Sequence, residues 1–377
     1  METSCVATKR IIRHEKRLPF IGKKNHPPLS LLGMVLAFLT ISATRHQPRC
    51  FAFSTYSVLS RRVRTMATPS TLSVKKVNIS FGDLPPFSDV DTTVMISKKK
   101  YFKENQTKLA EMLGVPVDDE TLQAMIKAIS PGSSSTTFVR GSRFTMAAVA
   151  DTVSRNNHPW SVHTVTDLVS STVKGDNVRL LFGGVDRSDA APLASAVAKA
   201  FSLYSRKTTA NQKRGDDDGG GEEEKEDGGD DDCRTLGVSF LEADGEKILD
   251  DQATLRAAAA VAEGVQLAAR LVDMTPEELT TDAYARECRV IAKELGVPMT
   301  EIVGEELKEK GYGGIYGVGK AATCPPRLII MEYNPPDNPT ENVALVGKGI
   351  VYDTGGLSLK PKTGMCGMKG DMGGSAG

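Results

Sequence analysis

Near the end of the chain, Lys348, Asp353, Lys360, Lys369 and Asp371 fall within twenty-four residues, in the stretch VALVGKGIVYDTGGLSLKPKTGMCGMKGDMGGSAG. Both aspartates precede turn-forming residues, in Asp353-Thr354-Gly355-Gly356 and Asp371-Met372-Gly373-Gly374. Carboxylates held on glycine-rich backbone beside lysines suit metal binding or acid/base chemistry better than they suit a core. Two such carboxylates could bridge divalent ions about 3.5–4 Å apart, the separation used in two-metal hydrolysis. Glycine lets backbone pass close to an ion or substrate without interference from a Cβ. Taken singly each residue has a plainer reading: an Asp before Gly forms turns, and Lys348, Lys360 and Lys369 are ordinary surface charges. Cys366 is a soft donor, but one thiol does not make a site, and it is read as structural.

The elements that must position these residues are those of an α/β fold. Upstream, residues 342–351 read as a strand, so that Asp353 would sit at a strand's carboxyl end, where ligands collect in open α/β sheets. Before it come a strand at 327–333, a turn at 335–339, a strand at 299–303 and a short helix at 305–310. Helices at 250–274 and 281–295 precede these, the second stopped by Gly296-Val297-Pro298. The helix at 250–274, with five alanines between Ala257 and Ala262, reads as the bridge between two domains. The N-terminal domain alternates strands (74–81, 94–97, 138–150 broken at Gly141, 178–184, 235–241) with helices (103–113, 121–129, 190–204). Residues 211–232 carry acidic blocks and glycines and no aliphatic or aromatic side chain, so they read as a disordered insertion.

Residues 1–65 read as a disordered targeting presequence. No acidic residue occurs between Glu15 and Asp83, while Arg and Ser recur. The apolar run at 29–43 is short for a bilayer span and suits a signal-peptide core. A two-part plastid presequence, a mitochondrial presequence, a signal anchor and a cytoplasmic start at Met66 all fit this pattern. The expected organisation is therefore a presequence over 1–65, an N-terminal α/β domain over 66–249 and a second α/β domain over 250–377. No stable membrane span is expected in the mature protein.

With 47 Lys and Arg against 47 Asp and Glu, the net charge is zero, and no global basic field points to nucleic acid. The six cysteines are far apart and form no CxxC pair, which argues against a zinc ribbon and against a small disulfide scaffold. All five histidines precede the lysine- and aspartate-bearing stretch, so a histidine-rich site is not expected there.

The joint spacing resembles the leucyl aminopeptidase family of dinuclear metallopeptidases. That family's pattern is a Lys in G-K-G, an Asp five residues on, a catalytic Lys twelve on and an Asp in D-M-G-G twenty-three on; Lys348, Asp353, Lys360 and Asp371 hold these offsets. The segments GYGGIYGVGKAA (311–322) and Pro325-Pro326-Arg327 are similar to the family's approach to the site. The resemblance is specific from about 250 to 377. It implies an intracellular hydrolase that releases N-terminal, leucine-like residues from peptides, with Lys348, Asp353 and Asp371 as ligands of two divalent ions, Mn, Zn or Mg. Lys348 would ligate as a neutral amine, Asp353 would bridge, and Lys360 would steady the oxyanion. A homohexamer is implied as well.

The family's further N-T-D-A-E-G-R motif, which supplies an Asp and a Glu ligand and an Arg that holds bicarbonate, is not in this sequence. The expectation is accordingly an incomplete catalytic domain with little peptidase activity alone. Two other readings stand beside this one: an aspartic peptidase through Asp353-Thr-Gly-Gly, which lacks a second D-T-G partner, and a non-catalytic regulatory or scaffold protein.

Overall fold

The computed structural model describes residues 11–12, 39–42, 76–82, 85–201, 203–204, 233–242, 248–334 and 341–377. The expected insertion at 211–232, the turn at 335–339 and nearly all of the presequence lie outside the described residues. The strands are β1 (Ile11–Ile12), β2 (Leu39–Ser42), β3 (Lys76–Phe81), β4 (Thr92–Lys98), β5 (Ser134–Val139), β6 (Ser142–Val149), β7 (Asn177–Val185), β8 (Cys233–Glu242), β9 (Met299–Val303), β10 (Arg327–Tyr333) and β11 (Asn342–Leu345). The helices that matter below are α1 (Lys99–Glu104), α2 (Leu109–Leu113), α3 (Asp119–Ala128), α4 (Val162–Thr172), α5 (Ala190–Lys199), α6 (Gln252–Asp273), α7 (Thr281–Leu295), α8 (Glu305–Glu309) and α9 (Gly313–Gly319). The chain forms two compact units that divide between Gln266 and Leu267, inside α6. Among the described residues no helix is long and apolar enough to cross a membrane.

The first unit is built on a six-stranded sheet of order β3-β8-β7-β4-β6-β5. All neighbours are parallel except β5, which pairs antiparallel with β6 at one edge. A parallel sheet needs both faces covered, and alternate residues of each strand enter opposite cores. Val94, Ile96, Leu180, Phe182, Val238 and Phe240 join the core formed with α4 and α5. Met95, Leu181, Phe144 and Met146 join the core formed with α1 to α3. The β5–β6 hairpin turns on Arg140 (φ 50°) and Gly141 (φ 89°), two left-handed residues in a row. That backbone matches the twist of the flanking strands.

Three elements of this unit depart from expectation. The helix expected at 103–113 is two helices, α1 and α2, because the Asn105 side-chain amide donates to the Tyr101 carbonyl and ends the first. The helix expected to reach Tyr204 stops at Lys199, and Phe201 turns back with its N–H on the Ala198 carbonyl. Helix α4 was not expected: it is rich in β-branched residues, which favour strands, yet Val165, Leu168 and Val169 are buried along one face.

In the second unit the sheet order is β1-β11-β2-β10-β9. Only the β2–β10 pair is parallel. Helix α7 starts at Thr280, whose hydroxyl accepts from the Ala283 N–H at 3.2 Å, and ends at Gly296 with φ 64°. Both caps satisfy backbone groups that the helix leaves open. Ion pairs then fix α7 to its neighbours: Arg270–Glu287 at 2.7 Å, Arg289–Glu301 at 2.5 Å and Arg327 bridging Glu301 and Asp282. Ile302, Leu307, Ile315, Leu328 and Val346 form the small core of β9, β10, α8 and α9.

Candidate functional site

The strand expected to run to residue 351 ends at Leu345, and its end decides how the site is built. Beyond it the chain leaves the sheet because its next backbone partner is elsewhere. The Lys348 carbonyl accepts the Ser375 N–H at 2.8 Å. Gly347 permits this approach: a Cβ there would fall 2.5 Å from the Ser375 Cα and 2.8 Å from the Gly374 carbonyl oxygen. Asp353 therefore lies eight residues past the strand and is held by its own turn.

That turn is a tight reversal. Gly355 (φ 90°) and Gly356 (φ 63°) adopt left-handed backbone, and a Cβ on Gly355 would meet the Ser358 carbonyl oxygen at 2.3 Å. The Lys360 N–H then closes on the Thr354 carbonyl at 2.9 Å. This loop returns Lys360 to Asp353, where its Nζ lies 2.9 Å from Oδ2. The other carboxylate oxygen accepts the Gly355 N–H at 2.8 Å. The Lys360 ammonium, foremost, together with the Gly355 N–H and the charges of Lys360 and Lys348, holds the Asp353 carboxyl below the ordinary carboxylate range against the opposing effect of burial.

Asp371 follows a short 3-10 turn, Met368–Gly370, entered through Gly367 at φ 118°. Its Oδ1 accepts from Lys348 Nζ at 2.5 Å. Its Oδ2 is buried and has no hydrogen-bond partner. The two turns meet through Met368, whose sulfur lies 3.2 Å from Lys360 Nζ. Lys348, Asp353, Lys360 and Asp371 thus form two ion pairs, one nested inside the other along the chain, with Lys348 close enough to Asp353 to act on its charge.

Two of the sequence candidates stand apart from this group. Lys369 is not a solvated charge; its Nζ donates to the Val272 and Asp273 carbonyls at 3.2 and 2.6 Å, capping the end of α6. Cys366, read as structural, is an exposed free thiol. Among the described residues no three His, Cys, Asp or Glu side chains gather into a metal-binding cluster. Geometry gives no support to an aspartic peptidase, because each carboxylate pairs with a lysine where that chemistry needs two carboxylates sharing a proton. A small pocket lined by Thr280, Cys324, Val351 and Tyr352 opens next to Asp353 in sequence and includes none of the four site residues.

Met368 and Ser375 are the contacts that sequence reasoning did not single out. Met368 stands three residues before Asp371, outside the D-M-G-G turn, and nothing in the sequence pairs it with Lys360 or pairs Ser375 with Lys348.

Comparison with known proteins matches the same two regions. The catalytic-domain model of the cytosol aminopeptidase family matches residues 266–377, and the model of the M17 aminopeptidase N-terminal domain 2 matches residues 93–210. The chain is similar to the "Probable aminopeptidase NPEPL1" of Mus musculus, 38% identical over 260 residues, which are 69% of this chain and 46% of that protein. It is 34% identical to "Leucine aminopeptidase 1" of Caenorhabditis elegans over 236 residues, 62% of this chain and 42% of that one. Among solved structures, leucyl aminopeptidase from Leishmania major, in complex with actinonin, aligns with a TM-score of 0.62 and 28% identity, over 87% of this chain and 60% of that chain. The chain spans about half the length of the curated relatives it matches.

Proposed function

Because the chain belongs to the cytosol aminopeptidase family, we propose that it serves metal-dependent removal of N-terminal amino acids from peptides, with leucine-like residues as the substrate class. The observation that carries this reading is the Asp371 Oδ2 atom, buried and without a hydrogen-bond partner beside the Lys348 and Lys360 ion pairs. A buried carboxylate oxygen left without a donor is costly, and a cation is the partner that suits it. Two carboxylates and an amine are hard-to-intermediate donors, which fit Mn, Zn or Mg. The residues present therefore fit divalent ions.

Lys348, Asp353 and Asp371 would hold the ions; family resemblance assigns Asp353 to both and Asp371 to one. Bound divalent ions supply Lewis-acid polarisation and a nucleophile drawn from water at neutral pH. Lys360 presents its ammonium beside Asp353, where it can transfer from that carboxylate to the peptide carbonyl oxygen as negative charge develops there. The Gly355 N–H holds Asp353 Oδ1 while this exchange takes place. Family resemblance would add further donors and a bicarbonate-holding Arg from the N-T-D-A-E-G-R motif, which is not in this sequence. By the same resemblance we place the protein in a homohexamer.

The test is hydrolysis of a fluorogenic leucine amide by residues 1–377 with manganese. Slow release that stops on chelation and is not seen with the N-acetylated substrate supports the proposal. Release that continues after chelation, or that is equally fast from the N-acetylated substrate, contradicts it.

A further inference from the structure

Besides the Lys348–Asp371 ion pair, a backbone bond through Ser375 fastens the turn carrying Asp371 to the segment carrying Lys348. Ser375 donates its backbone N–H to the Lys348 carbonyl at 2.8 Å, and its hydroxyl donates to the Met372 carbonyl at 2.8 Å. The same hydroxyl lies 2.8 Å from the hydroxyl of Tyr284 in α7, ninety-one residues away in the chain. With the serine proton directed at Met372, the Tyr284 hydroxyl is the donor of that bond. Burial foremost pushes the Tyr284 phenol above its ordinary range, which keeps it protonated and donating.

Tyr284 can act as a fixed reference. The residue is 6% exposed, and it sits on the first turn of a helix capped by Thr280. The neighbouring Thr281 hydroxyl donates to the Pro325 carbonyl at 2.9 Å. The 371–376 turn is short and glycine-rich; its internal bonds converge on the Met372 carbonyl, and outside itself Ser375 is the residue that ties it to α7. We infer that Tyr284 is a positioning residue for the metal ligands: through Ser375 its hydroxyl sets the separation of Lys348 and Asp371. This rests on the aminopeptidase reading, which makes those two residues ligands.

Manganese titration of the full chain by calorimetry tests it, comparing wild type with Tyr284→Phe, Ser375→Ala and the double variant. Near-UV circular dichroism checks that each is folded. Each single variant is expected to bind manganese about tenfold more weakly, the usual scale for a partner behind a metal ligand. The double variant should be no weaker than Ser375→Ala, because that substitution already removes the Tyr284–Ser375 bond. Cobalt supplies a second readout: its visible bands should shift in Tyr284→Phe if ligand geometry changes, whereas a purely structural role lowers the melting temperature and leaves the bands in place. Unchanged affinity in both single variants, additive losses in the double variant, or unmoved cobalt bands overturn the inference and leave the proposed function standing. No manganese binding by the wild type overturns both. Should Tyr284→Phe fail to fold, Ser375→Ala decides: a tenfold loss supports the inference, and no loss overturns it.

Discussion

Lys348 and Asp371 are twenty-three residues apart in the chain and 2.5 Å apart in space, joined Nζ to Oδ1. The contact leaves Oδ2 of the same carboxylate buried without a donor. One lysine thus neutralises half of a carboxylate whose other half remains available to a cation. Lys348→Arg separates the two roles that this arrangement gives the lysine. Arginine can keep the ion pair but cannot offer a neutral nitrogen to a metal. The variant should hold its thermal stability within a few degrees and lose manganese affinity at least tenfold. Wild-type affinity in Lys348→Arg would show that the amine is not a ligand.

Gly347→Ala should disturb both stability and the site. The added Cβ would stand 2.5 Å from the Ser375 Cα and 2.8 Å from the Gly374 carbonyl, both backbone atoms that cannot rotate away. Overpacking of this kind costs about 1–3 kcal/mol. Thermal melting reads the cost, and a parallel manganese titration should show weaker binding. A variant that melts with the wild type would mean the two segments are not held as close as described.

Asp189 serves the first unit. It is 8% exposed, and its carboxylate accepts from the indole N–H of Trp160 at 3.0 Å and from the Asp186 N–H at 3.0 Å. Trp160 is the chain's single tryptophan, so its fluorescence reports this unit without ambiguity. Asp189→Ala leaves the buried Trp160 N–H and the part-buried Asp186 N–H unpaired and should lower stability in denaturant by about 1–3 kcal/mol. An unchanged fluorescence midpoint would contradict the contact.

Thiol reactivity should distinguish the two ends of the second unit. Cys288 is buried, and burial first, then the charges of Glu287 and Glu301, pushes its thiol up to about 12. Cys366 is exposed and free. At pH 8, brief alkylation followed by peptide mapping should label Cys366 and spare Cys288 until denaturant is added. The linkage has a definite sign. A thiol raised on folding contributes its full stability below its ordinary value near pH 9, and this is lost as pH rises through about 12. Stability should therefore fall on the alkaline side, and Cys288→Ser should blunt that fall. Prompt labelling of native Cys288 would contradict its burial.

The fold was legible where caps and periodicity agreed. Helix α7 begins and ends where Thr280 and Gly296 say it should, and β10 is bounded as its apolar run suggested. Helix α4 was hidden by its β-branched residues, whose intrinsic preference opposes the helix that burial of Val165, Leu168 and Val169 enforces. Helix α9, GGIYGVG, was hidden by its glycines. The strand ending at Leu345 was overextended because residues 346–351 are apolar enough to continue it. What stops it is a backbone bond to Ser375, which no local pattern encodes. Within the site, the offsets of Lys348, Asp353, Lys360 and Asp371 could be read from the sequence. The nested pairing of lysines with aspartates could not, since it depends on two glycine turns closing against each other. Tyr284 was invisible for the same reason, being ninety-one residues from Ser375.

The central claim is that Lys348, Asp353 and Asp371 are donors to divalent ions, and a manganese titration of residues 1–377 against Asp371→Asn addresses it most directly. Asparagine keeps the size of the side chain and a hydrogen-bond acceptor for Lys348, while removing the charge from the unpartnered oxygen. The account predicts saturable manganese binding by the wild-type chain and at least a tenfold loss in Asp371→Asn with the fold intact. Equal binding by the two proteins, or no binding by either, would contradict it.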